Sequence, residues 1–213
     1  SLLIIRYKIG WNLTKSFKKI IFTPSVSVVI ALRNEGKNVN NLLKFLQAQN
    51  YCNDSIEFIL VNDHSTDSTL SLLNNSKLKN LRVIDLKDNE HGKKTAIIKA
   101  VKIAKGEIIL ATDADCRFDM NWVSSMVAYF ENTEVHLVSG PVVYKKQTGI
   151  FHKLQSLEFI SLVISGAGSI GINNAIFCNG ANMAYRKKSF IDFNDFNESL
   201  SPSGDDVFLL HSI

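Results

Sequence analysis

Three apolar runs constrain this chain more than any other feature. They read VSVVIAL at Val26–Leu32, IEFILV at Ile56–Val61 and IILA at Ile108–Ala111. Each has the length of a strand and a β-branched, nearly unbroken apolar composition, which fits burial on both faces. Between them the apolar residues change to helical spacing. Val39, Leu42, Leu43 and Leu46 follow the first run, and Leu70, Leu72 and Leu73 follow the second. A short third strand is expected at Leu81–Leu86, then a helix through Ile97, Ala100, Val101 and Ala104 that Gly106 closes as a C-cap. Parallel strands need crossover helices, and those crossovers are right-handed. The pattern predicts an α/β domain with a Rossmann-type, mostly parallel sheet flanked by helices. The 213 residues suffice for one such domain, and 46% apolar with 21% charged residues excludes a disordered chain.

Open α/β sheets bind ligands at the carboxyl ends of their strands. Those ends are polar here: Ala31–Asn34, Asn62-Asp63 and Asp113–Asp115. Asp113 and Asp115 are two residues apart and project to the same side of an extended chain. Like charges so placed repel unless a cation joins them, and oxygen-only ligands suit Mg²⁺ or Mn²⁺. A solvated turn is the alternative for this tripeptide. Asp63 could accept a base N–H or a ribose hydroxyl, or could cap the helix signalled by Ser65-Thr66-Asp67. Lys93, after Gly92 at a helix start, suits a phosphate, or is one of two solvated lysines. The chain has no spaced glycines of a P-loop and no Gly-x-Gly-x-x-Gly after its first strand, which counts against those nucleotide folds.

The second half is less regular. Helical residues are expected from Trp122 to Phe130, and a strand with a bulge or edge position across Val135–Tyr144. Residues 151–172 read as a helix beside a mobile or acceptor-lining loop, too polar to cross a bilayer. Ala175–Tyr185 returns to the sheet. Within it, Asn179-Gly180-Ala181-Asn182 offers amides suited to hydroxyl-rich ligands, or an ordinary strand-edge turn. Arg186-Lys187-Lys188 could reach a phosphate or form a solvated cluster. Asp205-Asp206 opens a last helix, where the pair satisfies the helix end or supplies a general base.

Residues 1–23 stand apart as a basic, amphipathic juxtamembrane or linker segment. Leu2, Ile5, Ile9, Leu13, Phe17, Ile20 and Ile21 fall on one helical arc, with Lys8, Lys15, Lys18 and Lys19 opposite. The excess charge of +4 is concentrated there, so it points to a membrane surface and not to nucleic acid. Cys52, Cys116 and Cys178 have no paired spacing, which excludes a disulfide framework and implies a reducing compartment. The five histidines share no metal-ligand spacing and read as surface or core residues. The lack of an initiator Met and the apolar run ending at Ile213 imply a piece of a longer protein.

Taken together, Val26–Leu46, Phe58–Thr69, His91–Cys116, Cys178–Phe190 and Gly204–Leu210 resemble, in order and spacing, glycosyltransferase family 2. The likeness spans about residues 24–213 and implies a GT-A-like catalytic domain, C-terminally truncated, that inverts the sugar of a nucleotide-sugar donor. It assigns Ala31, Arg33 and Glu35 to the first nucleotide-contact loop, Asp63 to the base and Lys93 to the phosphates. It also assigns Asp113 to ribose or metal, Asp115 to the metal, and Gly180, Asn182 and Arg186 to the donor sugar and acceptor. Asp206 becomes the catalytic base and Asp205 its acidic neighbour. Family members often carry Asp-Asp where this chain has Asn62-Asp63. The implied setting is the cytoplasmic face of the cell membrane, with a UDP-sugar donor, a carbohydrate or lipid-linked acceptor, and surface polysaccharide or glycolipid as product. Two rivals remain at this point: a sugar nucleotidyltransferase, and a non-catalytic membrane-associated binding domain.

Overall fold

A computed structural model describes residues 2–14, 22–145 and 148–192. Its strands are β1 (Val26–Leu32), β2 (Ile56–Asn62), β3 (Leu81–Asp85), β4 (Ile108–Thr112), β5 (Leu137–Ser139) and β6 (Asn182–Arg186). Its helices are α1 (Leu2–Leu13), α2 (Val39–Gln47), α3 (Thr69–Asn74), α4 (Gly92–Ile103), α5 (Trp122–Val127), α6 (Ile150–Gly171) and α7 (Lys187–Asp192). The sheet order is β3-β2-β1-β4-β6-β5. The first four strands are parallel, while β6 runs antiparallel to both β4 and β5. This is the GT-A-like α/β architecture.

The unbroken apolar runs have a direct cause in two cores, one on each face of the sheet. Val28, Ile30, Phe58, Leu60 and Leu110 face Leu42 and Leu46 of α2, Leu73 of α3, and Val123 and Val127 of α5. The alternate residues Val29, Ile59, Val61 and Ile109 face Ala96, Ala100 and Val101 of α4. Each fully buried Leu or Ile contributes about 1.5–3 kcal/mol, so these two layers dominate the domain's stability.

Several expectations shift in detail. The helix from Trp122 stops at Val127 and tightens into a 3₁₀ turn, Ala128–Glu131. The expected strand over Val135–Tyr144 shortens to β5, at the edge of the sheet. Gly106 is not the C-cap, because α4 ends at Ile103 and Ala104 caps it. Instead Gly106 lets the chain pass the start of β1: a Cβ there would lie 2.6 Å from the Val26 carbonyl carbon and 2.7 Å from Ser27 Oγ. Its N–H donates to that same Ser27 Oγ, at 2.8 Å.

The helices α1 and α6 differ most from expectation. Apolar residues emerge on every side of α1: Leu2, Leu3, Ile4, Ile5, Ile9, Trp11 and Leu13 are all exposed. Leu3 and Ile4 fall off the expected arc, so the amphipathic pattern does not hold over these residues. Lys15, Lys18 and Lys19, which supply most of its basic face, lie outside the described residues. The helix α6 has 22 residues and, by length and composition, is apolar enough to cross a bilayer, contrary to the sequence reading. The two helices cross so closely that a Cβ on Gly10, Gly168 or Gly171 would strike the other helix's backbone.

Substituting Gly106→Ala adds a Cβ against backbone, and overpacking of this kind costs about 1–3 kcal/mol. Thermal unfolding followed by circular dichroism should show a midpoint lowered by several degrees. An unchanged midpoint would mean that this passage is not tight.

Candidate active site

The loops after β1 and β2 are laced together before either meets a ligand. Asn34 N–H donates to Ser65 Oγ at 2.9 Å, Glu35 N–H to Thr69 Oγ1 at 2.8 Å, and Gly36 N–H to Asp67 Oδ2 at 2.9 Å. In return, Asn34 Oδ1 accepts the Thr66 N–H at 2.8 Å. Asp67, which precedes the N-cap Ser68, also accepts the Thr69 N–H and hydroxyl at the first residue of α3. Hydrogen bonds from Thr69, then from Gly36, hold the Asp67 carboxyl below its ordinary pKa. Asn34 (φ 56°) and His64 (φ 53°) take left-handed backbone conformations, to which both residue types are well suited.

Asp63 sits at the end of β2 and is 4% exposed. It does not cap α3. Its Oδ2 accepts the Gly92 N–H at the start of α4, at 3.1 Å, and its Oδ1 lies 2.9 Å from His64 Nδ1. Arg33 approaches to 3.9 Å. Burial alone would raise the Asp63 pKa, but the hydrogen bonds from His64 and Gly92, with the Arg33 charge, hold it below its ordinary 3.8. One residue along α4, Lys93 Nζ contacts Asp113 Oδ1 at 2.5 Å. The N-terminus of α4 therefore bridges a carboxylate at the end of β2 and another at the end of β4.

Asp115 follows on the turn after β4. It is exposed and has no hydrogen-bond or salt-bridge partner among the described residues. A cleft of about 750 Å³ opens there, lined by Asp113, Asp115, Arg117, Trp122, Tyr144 and Asn182 among others. Ala31 lies at the end of β1, and Glu35 turns its carboxylate to Asn38 Nδ2 at 2.7 Å. A second hollow, about 450 Å³, opens at the opposite end of the sheet around Ser25, Asn53, Arg82 and Gly106, away from all these carboxylates.

The antiparallel β6 sorts the remaining candidates. Asn182 pairs with Thr112, so it reaches the cleft together with the turn that holds Gly180. Its amide braces the wall: Oδ1 accepts Trp122 Nε1–H at 2.9 Å, and Nδ2 donates to the Pro141 carbonyl at 3.0 Å. Arg186 pairs with Ile108 at the far end of β4, four residues or about 13 Å from Thr112. It donates to Glu107 Oε1 and to the carbonyls of Val135, Phe130 and Asn132, and stacks over the Phe130 ring. The structure thus corrects the donor-side assignment of Arg186, since a strand running antiparallel carries its last residue away from the site. Asp205 and Asp206 lie outside the described residues.

Residues 27–193 match the sequence model of the family described as Glycosyl transferase family 2. The chain belongs to glycosyltransferase family 2. It is similar to a poly-beta-1,6-N-acetyl-D-glucosamine synthase of Staphylococcus epidermidis, at 25% identity over 186 residues, which covers 84% of this chain and 44% of that protein. It is also similar to glycosyltransferase AglE of Haloferax volcanii, at 27% identity over 128 residues, or 59% and 42% of the two chains. The chain therefore spans about half the length of the curated relatives it matches, or less. Among solved structures it shares its fold with a mannosyltransferase of Pyrobaculum calidifontis in complex with GDP-Man and Mn²⁺. The TM-score there is 0.69 at 19% identity, covering 90% of this chain and 54% of that one. S. aureus TarS 1–349 in complex with UDP-GlcNAc aligns with a TM-score of 0.58 at 23% identity, over 80% and 47%.

The family's frequent Asp-Asp pair gives a reason for Asn62. It is buried, and its Nδ2 donates to Asp85 Oδ1 at 2.7 Å. An aspartate at 62 would set two carboxylates against each other, so an amide fits where β3 already ends in an acid. Histidines are the feature that sequence spacing missed. Asp63, His64 and His91 bring one ligand atom each to within 4.8 Å of one another, and the two imidazoles lie 4.4 Å apart. Only the fold makes them neighbours, since 27 residues separate the histidines.

Two measurements follow from this geometry. Asp63 has a depressed folded-state pKa, so its stabilising contribution is complete above about pH 4 and is lost as pH falls further. His64→Ala removes the leading cause of that depression, so the Asp63 carboxyl, followed by ¹³C NMR, should titrate at higher pH. An unmoved titration would show that His64 does not hold it. Arg186→Ala should lower stability by about 1–3 kcal/mol and leave nucleotide affinity unchanged in calorimetry, the opposite of a donor-contact residue.

Proposed function

We propose that this chain is the catalytic part, residues 24–213, of an inverting glycosyltransferase. It moves a sugar from a UDP-sugar to a hydroxyl of a carbohydrate or lipid-linked acceptor. The reaction takes place at the cytoplasmic face of the cell membrane, in surface polysaccharide or glycolipid synthesis. The observation that carries this reading is the start of α4, where Gly92 and Lys93 join Asp63 to Asp113 beside the open cleft. A buried carboxylate at the end of β2, held ionised by its hydrogen bonds, suits a base N–H. A lysine at a helix N-terminus suits the diphosphate, helped by a dipole that favours negative charge. Family membership and the relatives named above support the same chemistry.

The donor set also fits a divalent metal. Asp115 offers carboxylate oxygens without a protein counter-charge, and Asp113 adds a second carboxylate, the hard-ligand set of Mg²⁺ or Mn²⁺. Asp115 and Asp113 would hold the ion, which when bound supplies positive charge to the departing diphosphate. In this reading Asp63 fixes the base, with Ala31 and Arg33 beside it, and Lys93 shifts from Asp113 toward phosphate oxygens. Asn182 and the turn at Gly180 shape the donor-sugar side. Asp206 takes the proton from the acceptor hydroxyl as that oxygen attacks the anomeric carbon from the opposite face, and Asp205 supports it.

The nucleotidyltransferase alternative needs free backbone N–H groups after β1 to cradle a triphosphate. Those of Asn34, Glu35 and Gly36 are already given to Ser65, Thr69 and Asp67. This favours the transferase.

Asp206→Asn should keep donor binding and lower transfer by about 10²–10⁴-fold, the usual worth of a general base. Asp115→Ala should abolish the Mn²⁺-dependent part of UDP binding measured by calorimetry. Transfer at the parental rate by Asp206→Asn would refute the base assignment.

A further inference from the structure

Fourteen of the twenty exposed large apolar side chains among the described residues belong to two helices, α1 and α6. On α6, Ile150, Phe151, Leu154 and Leu157 are each 59–79% exposed, and Leu2 and Ile4 of α1 are 77% and 67% exposed. Such a concentration is a docking surface, since soluble domains rarely leave large contiguous apolar patches to water.

Four observations identify the occupant as lipid. First, α6 has 22 residues and, by length and composition, is apolar enough to enter a bilayer's hydrocarbon core. Second, neither helix confines its apolar residues to one stripe, as a helix seated on a protein partner would. Third, three of the four serines of α6 turn their hydroxyls back onto their own helix. Ser156 bonds the His152 carbonyl, Ser161 that of Glu158, and Ser169 that of Gly166. In hydrocarbon, polar groups must be satisfied in this internal way. The glycine crossing of Gly10 with Gly168 and Gly171 is likewise the small-residue packing that joins helices in lipid. Fourth, residues 1–22 hold Arg6, Lys8, Lys15, Lys18 and Lys19 without one acid, a charge that complements anionic headgroups.

We infer that the α1–α6 pair is the element that docks this enzyme on an anionic bilayer. The pair also sets the position of the cleft. Phe159 of α6 packs on Tyr144 at 4.5 Å, and both rings line the cleft that holds Asp115. Docking therefore fixes the mouth of the active site at the membrane surface, where an amphiphilic acceptor is presented. The inference rests on the proposed function only for what the docking serves.

The test is co-flotation of the whole chain with vesicles of phosphatidylcholine, alone or mixed with phosphatidylglycerol. Fluorescence quenching by brominated lipid, with Trp11→Phe as control, reports insertion, because Trp122 is buried. Flotation with the anionic vesicles and quenching that depends on Trp11 are expected. Replacing Phe151, Leu154 and Leu157 by Glu should reduce vesicle binding at least tenfold and leave calorimetric UDP binding at the parental value. Ile4→Glu with Ile5→Glu provides a second variant, on the other helix. Chain that stays unbound with both vesicle types would overturn the proposal. So would variants that float like the parent, or a dimer in solution that hides Trp11 from the quencher. Loss of UDP binding by the unaltered chain would instead count against the proposed function.

Discussion

The site depends on how negative charge is held at one edge of a parallel sheet. When strands run the same way, all their carboxyl ends meet there, and so do the N-termini of the crossover helices that follow them. The helix after β3 must therefore begin where β2 and β4 end. Its unpaired N–H groups and positive dipole end are delivered to the acids by topology alone. Gly92 N–H on Asp63 and Lys93 on Asp113 are the local expression of that rule. Asp115, on the turn after β4, is exposed and has no salt-bridge partner among the described residues.

The two sides of the cleft are built differently. On one side, the loops after β1 and β2 give their N–H groups to each other through Ser65, Asp67 and Thr69, so their shape is set by the protein itself. A pre-organised pocket of this kind loses little conformational freedom on binding. On the other side, the wall is made of side chains from separated elements: Trp122 held by Asn182, and Tyr144 packed on Phe159. Its form depends on where α6 rests.

The parallel half of the sheet was legible in the sequence for a physical reason. Strands buried on both faces must be apolar throughout, and their polar ends stand out against such runs. Val26–Leu32 matches β1 to the residue, and the strand ends carrying Asp63 and Asp113 lie at one edge of the sheet, as their polar composition predicts. What failed depended on direction or on distant backbone. Arg186 was misplaced because a run of residues does not disclose whether its strand is parallel. Gly106 was misread because a helix cap and a close backbone passage both call for glycine. His64 and His91 become neighbours only through the placement of α4 beside β2. Leu3 and Ile4 lie off the arc formed by Leu2, Ile5 and Ile9, and they spread the apolar surface of α1 around its axis.

The crossing of Gly10 with Gly168 has a consequence for how the chain is made. The two partners lie about 160 residues apart, which at ribosomal speed is roughly 8–30 s. The sheet from β1 to β4 can assemble within that interval, because its strands and helices lie close together in the chain. The helix α1 cannot take its place against α6 until Gly168 and Gly171 have been made. Closing that crossing is therefore a long-range step, separate from the local assembly of the sheet.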